Sequence, residues 1–227
     1  MQFGKDIGKK FYEDGQVRRY PGNTVVADIL PGCSAYAVML QLRRLFQDSG
    51  LADHYILLPE DSYHMTVIRG LNDQVRTEDY WPVCLPVNCS MEAVDDHVSA
   101  AIARTGLPGQ LRMRFDAVHA GASCFVVHLT PEDEAENRKL RGFRDRAAAE
   151  IGIKLPGHDS YRFHMSLGYT RIVPEGAAQT QLEALTLQMN ALLHTQPAFT
   201  TGAPYMAYYD NMYAFSKCRI SRDTPVY

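Results

Sequence analysis

Apolar residues fall in short blocks punctuated by Gly, Pro and Asn, and the blocks switch between a period of two and a period near 3.6. NTVVADI (23–29) reads as a buried strand closed by Pro31-Gly32. SAYAVMLQLRRLFQDSG (34–50) repeats its apolar residues at helical spacing, with Ser34 as the expected N-cap and Gly50 as the stop. HYILL (54–58) and YHMTVIRG (63–70) read as strands, and a connection holding Pro82 and Pro86 leads to a helix over 90–105. RMRFDAVHA (112–120) and SCFVVHLT (123–130) form two strands about Ala120-Gly121. A charged helix over 131–152 opens with Pro131 and acidic residues, where the helix dipole favours them. FHMSLGY (163–169) is a strand, LEALTLQMNALLHT (182–195) an amphipathic packing helix, and AYYDNMYAFSKCRI (207–220) a last strand. Ahead of all these, KFYE and QVRRY flank Asp14-Gly15, a tight-turn signal. Residues 1–22 are therefore expected to form an N-terminal hairpin extension, ended by Pro21-Gly22.

The pattern repeats at an offset of one hundred. Val25-Val26-Ala27-Asp28-Ile29-Leu30-Pro31 lies opposite Phe125-Val126-Val127-His128-Leu129-Thr130-Pro131, and YHMTVIRG lies opposite FHMSLGYT. Each copy reads strand, helix, then a strand carrying His-Met-Thr or His-Met-Ser. Without a linker composition between the copies, the repeat predicts two similar lobes in one domain over 23–227.

Bulk properties narrow the chemistry. A net charge of −3 argues against an extended basic surface, so no long nucleic acid is expected as partner. The five cysteines are scattered without a CxxC pair, which fits reduced thiols in a cytoplasmic protein better than a disulfide or zinc framework. No membrane span or secretory leader is expected from the apolar runs. Oligomeric state is left open.

Five of the eight histidines stand two residues before Ser or Thr: His64, His97, His128, His158 and His164. With 22 Ser and Thr in 227 residues, about 0.8 such matches arise by chance, so position must sort them. His97 lies in a helical stretch that separates it from Ser99, and His158 lies in the polar turn PGHDS; both are expected at the surface. His128 is on a strand, but its repeat position holds Asp28, and it is expected to be a bonded core histidine.

His64 and His164 stand apart. Residues i and i+2 of a strand share a face, so His64 projects with Thr66 and His164 with Ser166, while Met65, Val67, Met165 and Leu167 enter the core. Two imidazoles that titrate near neutrality can serve as general base and general acid. The hydroxyls can donate to the oxygens of an anion held between them. Parity also puts Ser62, Arg162, Ile68 and Gly168 on this face, with Arg162 a candidate phosphate clamp. Arg69 and Arg171 have opposite parity and enter only if a bulge redirects them. Tyr36, Tyr63, Tyr161, Tyr169, Tyr205, Tyr208, Tyr209 and Tyr213 offer stacking surfaces, and the sequence does not choose among them. No HExxH, P-loop or GxSxG pattern is present, and no cofactor or metal is called for.

At these residues the chain resembles the 2H phosphoesterase superfamily, named for two H-x-T/S motifs, from about Asn23 onward. It is most similar to an uncharacterised branch related to the bacterial 2′,3′-cyclic phosphodiesterase and RNA ligase-like proteins. The resemblance implies an α+β, bilobal, pseudo-symmetric fold, with two mostly antiparallel sheets forming a central cleft and helices outside. It implies His64 and His164 as the acid/base pair, and Thr66 and Ser166 as phosphate ligands. Which histidine is the base is left open. The substrate implied is a small nucleotide or an RNA end: a cyclic nucleotide phosphate of the 2′,3′ type, or a short RNA-end phosphodiester. Two other readings stand beside it. One is a non-catalytic nucleotide or RNA-end binding module using the same cleft. The other is a metal-dependent hydrolase built on Asp28, His64, His128 and His164.

Overall fold

The computed structural model of the protein describes residues 1–220. Its strands are β1 (Gly22–Asp28), β2 (Tyr55–Leu57), β3 (His64–Asn72), β4 (Arg112–Ala120), β5 (Cys124–Pro131), β6 (His164–Thr170), β7 (Phe199–Thr200), β8 (Tyr205–Asn211) and β9 (Ala214–Ser216). The helices are α1 (Ser34–Gln47), α2 (Met91–Thr105), α3 (Glu134–Ile151) and α4 (Ala177–Leu193). The fold class is α+β, with a curled antiparallel sheet shaped as a half-barrel. No helix among the described residues is long and apolar enough to cross a membrane.

The expected pair of sheets is corrected to one. The strands join in the order β7-β4-β5-β6-β3-β1-β8-β9, with β2 added on β6. The halves meet where Met65 lies opposite Met165 on β3 and β6. That contact is a single residue pair, and further along the same side of β6 the strand β2 pairs with Gly168, Tyr169 and Thr170.

All four helices back the same face. Met39 and Phe46 of α1, Val98 of α2, Phe143 of α3 and Met189 of α4 share one buried cluster with Met65, Val67, Met165 and Leu167. Burial of each such large apolar side chain is worth roughly 1.5–3 kcal/mol, which holds the sheet against the helices. α1 packs with α4 and α2 with α3. The opposite face of the central strands is thereby left for the polar side chains of the motifs.

Local chemistry moved several element ends. Cys33 rather than Ser34 caps α1, its sulfur accepting from the Tyr36 amide at 3.4 Å. Pro131 ends β5, and α3 starts only at Glu134, because the Asp133 carboxylate caps it through the Glu136 amide at 2.8 Å. The final strand is a hairpin of β8 and β9, turned where Asn211 Oδ1 accepts from the Tyr213 amide at 2.8 Å.

The segment ahead of β1 does turn at Asp14-Gly15. Gly15 sits at φ +91°, the Tyr12 amide donates to the Gln16 carbonyl and the Arg18 amide to the Lys10 carbonyl. Phe11 is completely buried in a second apolar cluster with Ile56, Leu58 and Met212. The Gly4 and Lys5 amides donate to the Arg171 and Ala122 carbonyls, which fastens the segment across the end of β6.

Candidate active site

His64, Thr66, His164 and Ser166 line one cleft of about 350 Å³. Their intervening residues, Met65, Val67, Met165 and Leu167, are fully buried on the helix side, as strand parity requires. The two motifs match beyond their side-chain types. His64 Nδ1 lies 2.7 Å from the Ser62 carbonyl, and His164 Nδ1 lies 2.9 Å from the Arg162 carbonyl. A carbonyl only accepts, so both Nδ1 atoms carry hydrogen. In each neutral ring Nε2 is then the proton acceptor.

The neighbouring strands repeat the match. Asp28 is the cross-strand partner of His64, and His128 is that of His164. Both ladders slip by one residue at the same place, between Val25 and Val26 and between Phe125 and Val126. The extra residue in each case is Val67 or Leu167, and beyond it parity inverts. Arg69 and its counterpart Tyr169 are thus turned into the cleft. Ile68 and Gly168, expected to face the site, do not. Ile68 enters the core, and a Cβ on Gly168 would stand 2.5 Å from the Ile56 carbonyl oxygen on β2. Here β2 pairs alongside β6, with Leu57 opposite Gly168, and its backbone leaves no room for a Cβ.

Burial lowers the pKa of both histidines. For His64 the bond to Ser62 and the nearby Asp28 carboxylate partly offset burial, whereas His164 lowers it further. For His164 only the bond to Arg162 offsets burial, and the Lys10 and Arg69 charges disfavour its protonated form. Similar rings thus sit in opposite fields, one beside an anion and the other beside cations. Among the described residues lining the cleft there is no Asp or Glu, although the chain as a whole is acidic.

Arg162 is not brought to the cleft. Its guanidinium pairs with Asp116 at 2.9 Å, and its carbonyl is what touches His164. Arg171 is likewise outside, donating to the Glu13 carbonyl at 2.8 Å. The Ser62 hydroxyl donates to the Pro59 carbonyl. His128 is half-buried with its ring 6.1 Å from that of His164, yet it does not line the cleft. His158, expected at the surface, is buried: its ring is drawn under α3 by Asp145, 2.9 Å away. Among the described residues the metal-ligand atoms that converge are those of Asp145, His158 and Asp159, and those of Asp28, His64, His128 and His164 do not.

Of the tyrosines singled out in the sequence, Tyr161, Tyr169 and Tyr209 line the cleft. Tyr20, Tyr80 and Phe215 also line it. Phe215 packs on the His64 ring at 4.3 Å and on Tyr209 at 5.0 Å. The signal that could have found Phe215 and Lys10 is spatial: both come from chain ends, where no motif marks them.

No curated protein matches this chain. The conserved protein of unknown function ATU0111 from Agrobacterium tumefaciens is similar in structure, with a TM-score of 0.86 and 25% identity over 96% of this chain and 93% of that one. Protein TT0787 of Thermus thermophilus aligns with a TM-score of 0.44 and 13% identity over 82% of this chain and 85% of that one. The family named 2H-phosphodiest, described as a domain of unknown function (DUF1868), matches residues 10–124, half of the chain and the whole of the first motif. The protein belongs to that 2H-phosphodiesterase family.

Proposed function

We propose that the protein is a metal-independent phosphodiesterase that hydrolyses a cyclic nucleotide phosphate of the 2′,3′ type or a short RNA-end phosphodiester. The observation that carries this reading is the matched pair of histidines, each fixed through Nδ1 and each accompanied in one cleft by a hydroxyl on its own strand. Pseudo-symmetric lobes meeting at Met65 and Met165 would account for that match.

In this mechanism the phosphate sits between the motifs, with Thr66 and Ser166 donating to its non-bridging oxygens. His164, held neutral beside Lys10 and Arg69, takes a proton from water as the oxygen attacks phosphorus. His64, beside Asp28, gives a proton to the opposite oxygen as the bond from phosphorus to that oxygen breaks. A cyclic phosphate becomes a monoester, and the two rings exchange protonation states before the next cycle. Phe215 and Tyr209 offer a stacking wall for a base next to His64. A cleft of about 350 Å³ suits a single nucleotide better than a strand.

Hydrolysis of the four 2′,3′-cyclic nucleotides in chelator tests the reading. Turnover by the wild type that falls about 10²- to 10⁴-fold in both His64→Ala and His164→Ala is expected. Turnover seen only when a divalent metal is restored would sink the mechanism. Folded wild-type protein that binds nucleotides without any turnover would leave a binding module.

A further inference from the structure

The two halves match in backbone register but not in charge. Arg69 pairs with Thr24, and at the equivalent place one hundred residues on, Tyr169 pairs with Cys124. The first half therefore lines the cleft with Arg69, whose guanidinium also donates to the Pro156 carbonyl at 2.6 Å, where the second half places Tyr169. A cation nevertheless stands at that second position. Lys10, from the segment ahead of β1, lines the cleft with its ammonium 4.7 Å from the centre of the Tyr169 ring and 5.6 Å from that of Tyr20.

The lysine is held there by construction. Asp6, itself nearly buried, contacts the ammonium at 3.0 Å and accepts from the Ser123 hydroxyl on the far side. The neighbouring residue Phe11 is wholly buried between Ile56, Leu58 and Met212, which fixes the backbone on which Lys10 rides. Burial opposes the charge on this part-buried ammonium, but Tyr169, Asp6 and Tyr20 more than offset it and hold the Lys10 pKa above its ordinary value, so a standing positive charge lines a cleft without carboxylates. A phosphate anion in the cleft would meet that standing charge. Lys10 also acts on the reacting group itself, because its charge disfavours protonation of His164.

We propose that Lys10 is a substrate-binding cation that supplies in the second half what Arg69 supplies in the first, so that the phosphate is gripped between two cations. The segment carrying it is then a wall of the active site. The inference rests on the phosphate-ester reading of the cleft, and its test is made independent of turnover by measuring binding.

Calorimetric titration of 3′-AMP and 2′-AMP into wild type, Lys10→Met, Lys10→Arg and Asp6→Asn decides it, with thermal unfolding run on each variant. Lys10→Met keeps the packed stem and removes the charge. It should weaken nucleotide binding about ten- to a hundredfold, the range for a hydrogen bond to a charged group. Lys10→Arg should stay within about threefold of wild type, and Asp6→Asn, which frees the ammonium, should bind at least as tightly. Equal affinity of wild type and Lys10→Met overturns the proposal while leaving any observed hydrolysis intact. Weakened binding with no wild-type hydrolysis upholds Lys10 and overturns the enzymatic reading. Failure of the wild type to bind either nucleotide overturns both. Should Lys10→Met prove unfolded, a folded Lys10→Gln takes its place: lost affinity there with rescue in Lys10→Arg upholds the proposal, and unchanged affinity overturns it.

Discussion

Met65 lies directly opposite Met165 where β3 meets β6, and both are completely buried. Antiparallel pairing at that point sets His64 across from Ser166 and Thr66 across from His164. Each imidazole is thus accompanied by two hydroxyls, one on its own strand and one on its neighbour. The four polar groups form one patch because their apolar neighbours form one contact.

That contact should be costly to remove. Truncating either methionine leaves a cavity in a fully packed site, and Met65→Ala or Met165→Ala is expected to cost about 2–5 kcal/mol. Urea unfolding followed by fluorescence measures this. A loss below about 1 kcal/mol in both would mean the junction does not hold the two halves together.

Activity should peak on the acid side of neutrality. The kcat/KM profile reports the free enzyme, rising as the base deprotonates and falling as the acid loses its proton. Burial puts both histidines below their ordinary 6.5, so the alkaline limb should begin below that pH. Replacing the carboxylate in Asp28→Asn keeps an acceptor for the Tyr205 hydroxyl, now 2.8 Å away, but removes the anion that favours protonated His64. The alkaline limb should shift to lower pH while the acid limb stays. Movement of the acid limb instead would reverse the roles assigned to the histidines.

Two arginines near the motifs should behave differently. Arg69 lines the cleft and Arg162 pairs with Asp116 outside it. Arg69→Met is expected to raise KM about tenfold or more, and Arg162→Met to change it less than about twofold. Steady-state kinetics on a cyclic nucleotide distinguishes them, and equal effects would contradict the placement.

Gly168→Ala should be poorly tolerated although alanine is small. The added methyl would meet the Ile56 carbonyl oxygen at 2.5 Å, so β2 must move off β6. A loss on the order of 1–3 kcal/mol is expected from thermal unfolding. An unchanged melting temperature would show that β2 can shift without cost.

Much of the site was legible because strand parity and the repeat act locally. HMT and HMS each place a histidine and a hydroxyl on one face whatever the rest of the chain does. Parity failed one step later, at Ile68 and Gly168. A bulge is a property of the ladder, decided by how β1 and β5 pair with their neighbours, and nothing in VIRG or LGYT announces it. His158 misled for a related reason. Its polar turn looks exposed, and only the approach of α3 buries it against Asp145.

By itself, then, the sequence determined the repeated unit and the paired histidines, because periodicity and spacing are written along the chain, and the α+β class followed from the family resemblance that those motifs carry. Tertiary structure decided which other groups meet them. One sheet replaced two because Met65 and Met165, one hundred residues apart, pair across β3 and β6, a contact of a range that no local pattern encodes. Arg69 entered the cleft and Arg162 left it because a single extra residue inverts the face. Lys10 and Phe215, from opposite ends of the chain, reached the cleft through packing against side chains far away in sequence, and contacts of that range leave no local pattern to read.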